Sequence, residues 1–315
     1  MLTSDFNKLV EIGSQQATMT IYTHAESNIR KTWILVSLFF IFIIGLGWFF
    51  SYTFQNQAIL IFAVVFSLVM NIASFWYSDR IVLAMTKARP IEKKDNPELY
   101  RIVENLCITA GLPLPRIYII PEAQPNAFAT GRNAKHAVVA VTQGLLEKLD
   151  KQELEGVVAH ELSHIGNKDM MLMTVVVVLV GFVSILSDMF MRSMLFGGLR
   201  RRDSRGSGQA GAILALASVV LMILSPLVAM LIQMAISRKR EFLADASGAL
   251  LTRYPEGLAR ALAKIAVDPA PMKRVSNSTA HLYISSPFRG KRFSSFFSTH
   301  PPVEQRIKAL KEMQI

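Results

Sequence analysis

Residues 160–164 read His160-Glu161-Leu162-Ser163-His164, and this stretch indicates the kind of fold and site more strongly than any other. On a helix, side chains four positions apart share a face, so both imidazoles can bind one metal ion. Glu161 then lies beside that ion, where it can accept a proton from a water molecule. The pattern predicts a zinc hydrolase site; the alternative is a core helix whose histidines contact neighbouring groups.

The residues around this stretch predict the helix that the chemistry needs. Asp150 and Glu153 have the spacing of a helix N-cap and its reciprocal partner. Gly166 follows the second histidine, where a helix typically ends. Between them, apolar residues recur at helical spacing: Leu154, Val157, Val158, Leu162 and Ile165.

A catalytic zinc site needs a third protein ligand and a position left for water. Glu241 is the candidate, and Asp245 lies one helical turn further on the same face. Asp245 is then placed to hydrogen-bond a ligating imidazole and fix its tautomer. The alternative is that both acids pair on the surface with the basic residues 238–240.

Two uncharged apolar runs near the N-terminus, residues 33–54 and 58–77, are each long enough to cross a membrane. They predict a transmembrane hairpin over residues 33–77, preceded by an N-terminal cytosolic segment, residues 1–32. The first run is too long and begins too late for a cleavable signal peptide.

Two further apolar runs, residues 170–190 and 212–236, predict a second hydrophobic hairpin over residues 170–236. The loop between them is rich in arginine, and basic loops tend to stay in the cytoplasm. This hairpin therefore either spans the membrane fully or forms a partial or protein-buried hairpin. Because His164 and Glu241 must meet at one ion, the number of crossings between them is even.

The chain carries a net charge of +11, and anionic lipid headgroups explain it more simply than nucleic acid does. The sequence contains no zinc finger, aromatic-basic motif or phosphate loop, so we expect no nucleic-acid partner. Cys107 is the only cysteine, which excludes an internal disulfide and fits a reducing cytosolic compartment.

The predicted catalytic part comprises residues 78–169 and 237–315, and its remaining sequence predicts a small sheet among helices. A helix is expected over residues 95–111, and strands are expected within 115–121, 126–131 and 136–142. The strand with Asn126, Ala127 and Phe128 could hold a substrate peptide along its edge, or could belong to a hairpin without a ligand role. Residues 268–299 predict an irregular segment and residues 303–311 a last helix; His300 before it is most simply a polar cap, and the role of His281 stays open.

Taken together, the chain resembles the HtpX-type membrane metalloproteases, bacterial relatives of the CAAX prenyl endopeptidases. The resemblance covers nearly the full length, and it is carried by the following features: the N-terminal hydrophobic hairpin, Asn126-Ala127-Phe128, His160-Glu161-Leu162-Ser163-His164, Glu241-Phe242-Leu243-Ala244-Asp245, and His300-Pro301-Pro302 with Arg306.

The resemblance implies a mainly α membrane protein with a small β-sheet, in which a gluzincin-like HExxH zinc peptidase domain is attached to two hydrophobic helical hairpins. It implies one Zn²⁺ per chain on His160, His164 and Glu241, with Glu161 as general base and His300 stabilising the oxyanion. Asn126, Ala127 and Phe128 would align the substrate, and membrane lipids would surround the spans.

The implied role is quality control of misfolded or damaged membrane proteins, with the catalytic domain on the cytoplasmic side of a bacterial inner membrane. Two alternatives stay open: a processing protease for one lipid-modified peptide, and a non-catalytic zinc-containing membrane scaffold. Glu161 disfavours the scaffold, because a closed structural zinc site has no use for a general base. The sequence does not predict an oligomeric state.

Overall fold

The computed structural model describes residues 2–183, 238–270, 272, 279–285 and 301–313. Within these residues the protein is mainly helical with one small mixed sheet, as predicted. The predicted residue His300, the arginine-rich loop and run 212–236 lie outside the described residues.

The N-terminal hairpin consists of helix α1 (Leu2–Phe54) and helix α2 (Gln57–Trp76). Within them, Glu26–Tyr52 and Gln57–Trp76 are long and apolar enough to cross a membrane, and they lie where the sequence predicts a transmembrane hairpin. The predicted N-terminal segment, residues 1–32, is not a separate element over its described part, because α1 runs without a break from Leu2. Nothing in the sequence interrupts that helix, since the first proline is Pro90.

A tight turn and a close contact hold the two membrane helices together. Asn56 caps α2 by accepting a hydrogen bond from the Ala58 amide at 3.0 Å. Across the pair, a Cβ added at Gly47 would lie 2.3 Å from the Cβ of Ala63. The absence of a side chain at Gly47 is therefore what lets the helices approach.

The sheet has the strand order β1-β2-β4-β3, in which β2 and β4 are parallel and the other pairs antiparallel. Its strands are β1 (Arg89–Pro90), β2 (Arg116–Ile120), β3 (Ala127–Thr130) and β4 (Val138–Thr142). The three longer strands confirm the prediction, whereas the two-residue strand β1 was not predicted. Strand β3 lies at the end of the sheet, next to the site described below.

Helices of the catalytic part surround this sheet. Most of them share one apolar core, whereas Val82 packs in a second buried cluster with Ile120 and Phe128. In chain order they are α3 (Ser78–Thr86), α4 (Pro97–Ala110), α5 (Gln143–Lys148), α6 (Lys151–Gly166), α7 (Asp169–Val183), α8 (Arg238–Thr252), α9 (Pro255–Val267) and α10 (Val303–Lys311). Helix α6 begins with the predicted capping box of Asp150 and Glu153. Cys107 is buried in this core, and burial raises the pKa of its thiol to about 11.

Helix α7 connects the catalytic part to the membrane hairpin. It follows α6 at a bend of 87°, and Leu172 and Val176 pack with Leu35 and Phe39 of α1 in one buried cluster. The described part of the second predicted hairpin, up to residue 183, is therefore buried against protein. If α6 and α7 are counted together as one broken span, the described residues hold three candidate spans rather than two.

Candidate active site

His160 and His164 lie on the same face of α6, as the four-residue spacing predicts. Their Nε2 atoms are 3.2 Å apart, and both side chains are buried. The rings meet edge to face, with centroids 4.8 Å apart. This arrangement directs two imidazole nitrogens at one point inside the protein.

Glu241 of α8 completes the group. Its Oε1 lies 3.7 Å from Nε2 of His164, and its Oε2 lies 3.9 Å from Nε2 of His160. One ligand atom from each residue lies within 4.8 Å of the others, so the three predicted ligands are brought together.

A glycine on α8 makes this convergence possible. A Cβ added at Gly248 would lie 2.9 Å from the backbone nitrogen of His160, closer than side chains normally approach a backbone. The absent side chain lets α8 pack directly on α6, which places Glu241 opposite the histidines.

Glu161 lies beside these groups and is 1% exposed. Burial, and secondarily the charge of Glu241, raise the pKa of its carboxyl group to about 7, against the lowering effects of His164, the Ala129 amide and Arg306. A carboxylate with a pKa near neutrality can both accept and release a proton at physiological pH.

Each of the two histidines has a carboxylate next to its Nδ1 atom. Asp245 Oδ1 lies 2.9 Å from His160 Nδ1, as predicted, and Asp169 Oδ2 lies 3.1 Å from His164 Nδ1. Asp169 was not predicted, because it follows the end of α6 and belongs to no helical pattern with the histidines. Such partners fix the tautomer and orientation of an imidazole, leaving Nε2 available to a metal.

These surroundings move the pKa values of the two histidines in opposite directions. Burial lowers the pKa of His160 despite the neighbouring carboxylate of Asp245. Burial would also lower the pKa of His164, but the charges of Asp169, Glu241 and Glu161 outweigh it and raise the pKa to about 10. The net negative surroundings of His164 are those of a site suited to a cation.

Arg306 of α10 is fully buried and forms a two-pronged ion pair with Asp245, at 2.7 and 2.6 Å. Its Nη1 lies 3.5 Å from Glu241 Oε2 and donates to the Ile284 carbonyl at 2.9 Å. Burial would lower the pKa of Arg306, but the pairing with Asp245 raises it, so the guanidinium stays charged. In the sequence, Arg306 is notable only as part of the resemblance, whereas the structure places it between both acids of α8.

The predicted substrate residues Asn126, Ala127 and Phe128 are all buried. The Asn126 side chain donates to the Ser285 carbonyl at 2.9 Å and accepts from the Ser285 amide at 3.3 Å. The Ala127 carbonyl accepts from the Ile284 amide at 3.0 Å. We call residues 279–285 the covering segment, because they lie along the outer edge of β3 next to the site.

The covering segment is packed into the protein. Tyr283 is 1% exposed and meets Phe128 edge to face, with ring centroids 5.3 Å apart. His281, whose role the sequence left open, is buried with its Nε2 3.2 Å from the Met173 carbonyl. It belongs to the covering segment, and it is not among the three residues whose ligand atoms converge.

This fold and site define a membrane-attached metallopeptidase of the HExxH type. Residues 93–314 match Peptidase family M48, and the chain belongs to that family.

The chain is also similar to proteins named Protease HtpX homolog. It is 48% identical to the one from Thermococcus sibiricus, over 89% of this chain and 96% of the relative. It is 44% identical to the one from Caldanaerobacter subterraneus subsp. tengcongensis, over 94% and 99% of the two chains. The crystal structure of S. mikatae Ste24p matches with a TM-score of 0.48 at 20% identity, over 91% of this chain and 66% of that one.

Proposed function

We propose that this protein is a zinc endopeptidase that hydrolyses misfolded or damaged membrane proteins at the cytoplasmic face of a bacterial inner membrane. The observation that carries the proposal is the convergence of His160, His164 and Glu241 beside the buried carboxyl group of Glu161. Two imidazoles and one carboxylate are the donor set of many catalytic zinc sites.

The distances between the donors fit zinc. In a tetrahedral site with bonds of about 2.0–2.1 Å, ligand atoms lie roughly 3.3–3.4 Å apart. The two Nε2 atoms lie 3.2 Å apart, and each lies 3.7 or 3.9 Å from a different oxygen of Glu241, so side-chain movements would bring one oxygen and both nitrogens onto one ion. Three protein ligands support one Zn²⁺ per chain with a further position for water.

Zinc, when bound by these three residues, would lower the pKa of a water molecule and polarise the scissile carbonyl group. Glu161 accepts the proton of the attacking water at its carboxylate and delivers it to the leaving amine nitrogen. Its raised pKa suits both transfers, since the group must be ionised in the first and protonated before the second.

Other residues hold the reacting groups in place. Asp245 and Asp169 orient the two histidines through their Nδ1 atoms. Arg306 of α10 forms an ion pair with Asp245 and lies beside Glu241, so it holds both acids of α8 in position. His300 stays a proposed stabiliser of the oxyanion on the strength of the resemblance.

We further propose that the substrate backbone pairs with the outer edge of β3. In an antiparallel strand, alternate residues direct their backbone groups to the same side. Ala127 binds the covering segment on this side, and the Ala129 amide lowers the pKa of Glu161, so this amide lies near that carboxyl group. A substrate strand there would lie directly beside the general base, and it would take the place of the covering segment at Ala127.

The residues at the ends of the membrane hairpin support the proposed location. Arg30 and Lys31 directly precede the uncharged run 33–54, Arg80 and Lys87 follow the second span, and such residues favour the cytoplasmic side. The metal-binding helix α6 ends at Gly166, two residues before α7, which packs on the first span. The site is thus held near the membrane surface, which favours substrates in or beside the membrane.

The test uses the full chain, purified in detergent. A chelator first removes bound metal, and zinc is then added at one equivalent per chain. We expect zinc to restore cleavage of a denatured model protein, and Glu161→Gln to bind one zinc per chain without cleavage. Glu155→Gln is the matched control, since Glu155 is another acid of α6 on its partly exposed side. Cleavage by Glu161→Gln at the parent rate would contradict the assigned role.

A substrate panel separates the proposed role from a processing role. The panel contains a denatured soluble protein, an unfolded membrane protein and a lipid-modified peptide. Cleavage of the unfolded proteins supports quality control, whereas cleavage of the lipid-modified peptide alone would contradict it.

A further inference from the structure

One side chain of the first membrane helix reaches the catalytic part. Asn28 lies near the start of the span Glu26–Tyr52 and is 3% exposed. Its Oδ1 accepts a hydrogen bond from Arg240 Nη1 at 3.2 Å, and its Nδ2 donates to the Asn167 carbonyl at 3.4 Å. Asn167 is the C-cap of the metal-binding helix α6, so Asn28 touches the segments that carry the candidate ligands.

Arg240 continues the connection toward the site. It precedes Glu241 in the chain, it is 8% exposed, and its charge interacts favourably with Asp169 and Glu241. Asp169 in turn lies 3.1 Å from Nδ1 of His164. A series of buried polar groups therefore runs from the membrane helix to a candidate metal ligand: a hydrogen bond joins Asn28 to Arg240, charge attraction joins Arg240 to Asp169, and Asp169 lies beside His164.

We propose that Asn28 is a positioning residue of the metal site, which acts by holding the Arg240 guanidinium where its charge attracts Asp169 and thereby orienting His164. An arginine side chain has many rotamers, and ordering it costs free energy. A fixed hydrogen-bond acceptor on a neighbouring helix selects one rotamer of Arg240, and the buried carboxylate of Asp169 is stabilised by a positive charge in its surroundings.

The packing of α1 makes it a rigid support for this contact. Thr32, Leu35 and Phe39 follow Asn28 on one buried face of α1, and Leu35 and Phe39 pack on α7. Helix α7 begins with Asp169 itself. Asn28 is thus fixed relative to both Arg240 and Asp169, and the membrane hairpin contributes to the chemistry beyond anchoring the chain.

The inference rests on the metal site of the proposed function, and its test measures metal binding in the full chain in detergent. Asn28→Ala removes both hydrogen bonds, whereas Asn28→Asp keeps an acceptor for Arg240 and loses the donor to Asn167. Thr32→Ala is the matched control, because the Thr32 hydroxyl donates within its own helix, to the Asn28 carbonyl at 2.9 Å. The measurements are the zinc dissociation constant, by competition with a chromogenic chelator, and the visible spectrum of the cobalt(II) form.

We expect Asn28→Ala to weaken zinc binding on the order of 10-fold, as for partners outside the ligand shell, and to alter the cobalt spectrum. Asn28→Asp and Thr32→Ala should both retain the parent values. Unchanged zinc affinity and spectrum in Asn28→Ala would overturn the proposal, and so would an equal loss in Asn28→Asp and Asn28→Ala.

Two other outcomes can be distinguished from a failure of the proposed role of Asn28. If the parent chain itself binds no zinc, the proposed function fails rather than the role of Asn28. If Asn28→Ala does not fold, Arg240→Lys tests the same link, because it keeps the charge and loses the planar group. Weaker zinc binding and an altered cobalt spectrum in Arg240→Lys support the link, whereas parent values for both overturn it.

Discussion

Replacing Glu161 by glutamine should stabilise the metal-free protein at alkaline pH. The pKa of this carboxyl group is raised from 4.5 to about 7, mainly by burial, so the folded state holds the proton more tightly than the unfolded state. The resulting destabilisation is absent below pH 4.5, grows as the pH rises between the two values, and is complete above about pH 7. Glutamine has the same shape and no charge to bury.

The expected size follows from the two pKa values. A shift from 4.5 to about 7, at roughly 1.4 kcal/mol per unit, corresponds to about 3 kcal/mol at pH 9 and less than about 1 kcal/mol at pH 5. At roughly 2–4 °C per kcal/mol, the midpoint of thermal unfolding should rise by roughly 6–12 °C at pH 9.

The assay is thermal unfolding in detergent with excess chelator, at pH 5 and pH 9, for the parent, Glu161→Gln and the control Glu155→Gln. Added zinc should then stabilise the parent more than Glu161→Gln, since a neighbouring cation favours the ionised carboxyl group. A midpoint for Glu161→Gln at pH 9 that is equal to or below that of the parent would refute the reasoning.

Three further predictions concern pH, helix packing and the buried arginine. The acid limb of kcat/KM should inflect below about pH 7, because Glu161 must be ionised and a bound cation lowers its pKa further; a rate that rises below pH 5 would argue against this. Gly248→Ala should weaken zinc binding on the order of 10-fold in a chelator competition, because the added methyl group would lie 2.9 Å from the backbone of α6. Gly166→Ala is the control: its methyl group would meet nothing within 4 Å, so this variant should bind zinc like the parent. Asp245→Asn should lower the free energy of unfolding by about 3 kcal/mol, because Arg306 loses its paired anion; an unchanged denaturation midpoint would contradict this.

The elements that the sequence predicts well are those specified by neighbouring residues. Helix α6 has its own capping box and apolar period, and α10 follows Pro301-Pro302, so both were located within a residue or two. The membrane hairpin was predicted because length and composition alone define a span. Strand β1 was missed because Arg89–Pro90 carries no alternating pattern; it exists through its pairing with β2.

The parts of the site that were missed depend on contacts between distant segments. The pairing of Asp169 with His164 crosses the end of a helix, and Arg306 meets Asp245 across 61 positions of sequence. The contact of Asn28 with Arg240 spans 212 positions. No local period relates such residues, so only the folded arrangement reveals which of the many acids, bases and amides meet.

The covering segment also has a consequence for which molecules this enzyme attacks. Displacing it from β3 means removing Tyr283 from its buried contact with Phe128 and releasing the hydrogen bonds of Ile284 and Ser285. A short peptide has few groups with which to replace these contacts, whereas a long unfolded chain can offer many at once. We therefore expect the enzyme not to cleave short peptides or folded proteins in the same bilayer. We expect it to select substrates by the length of their unfolded segments.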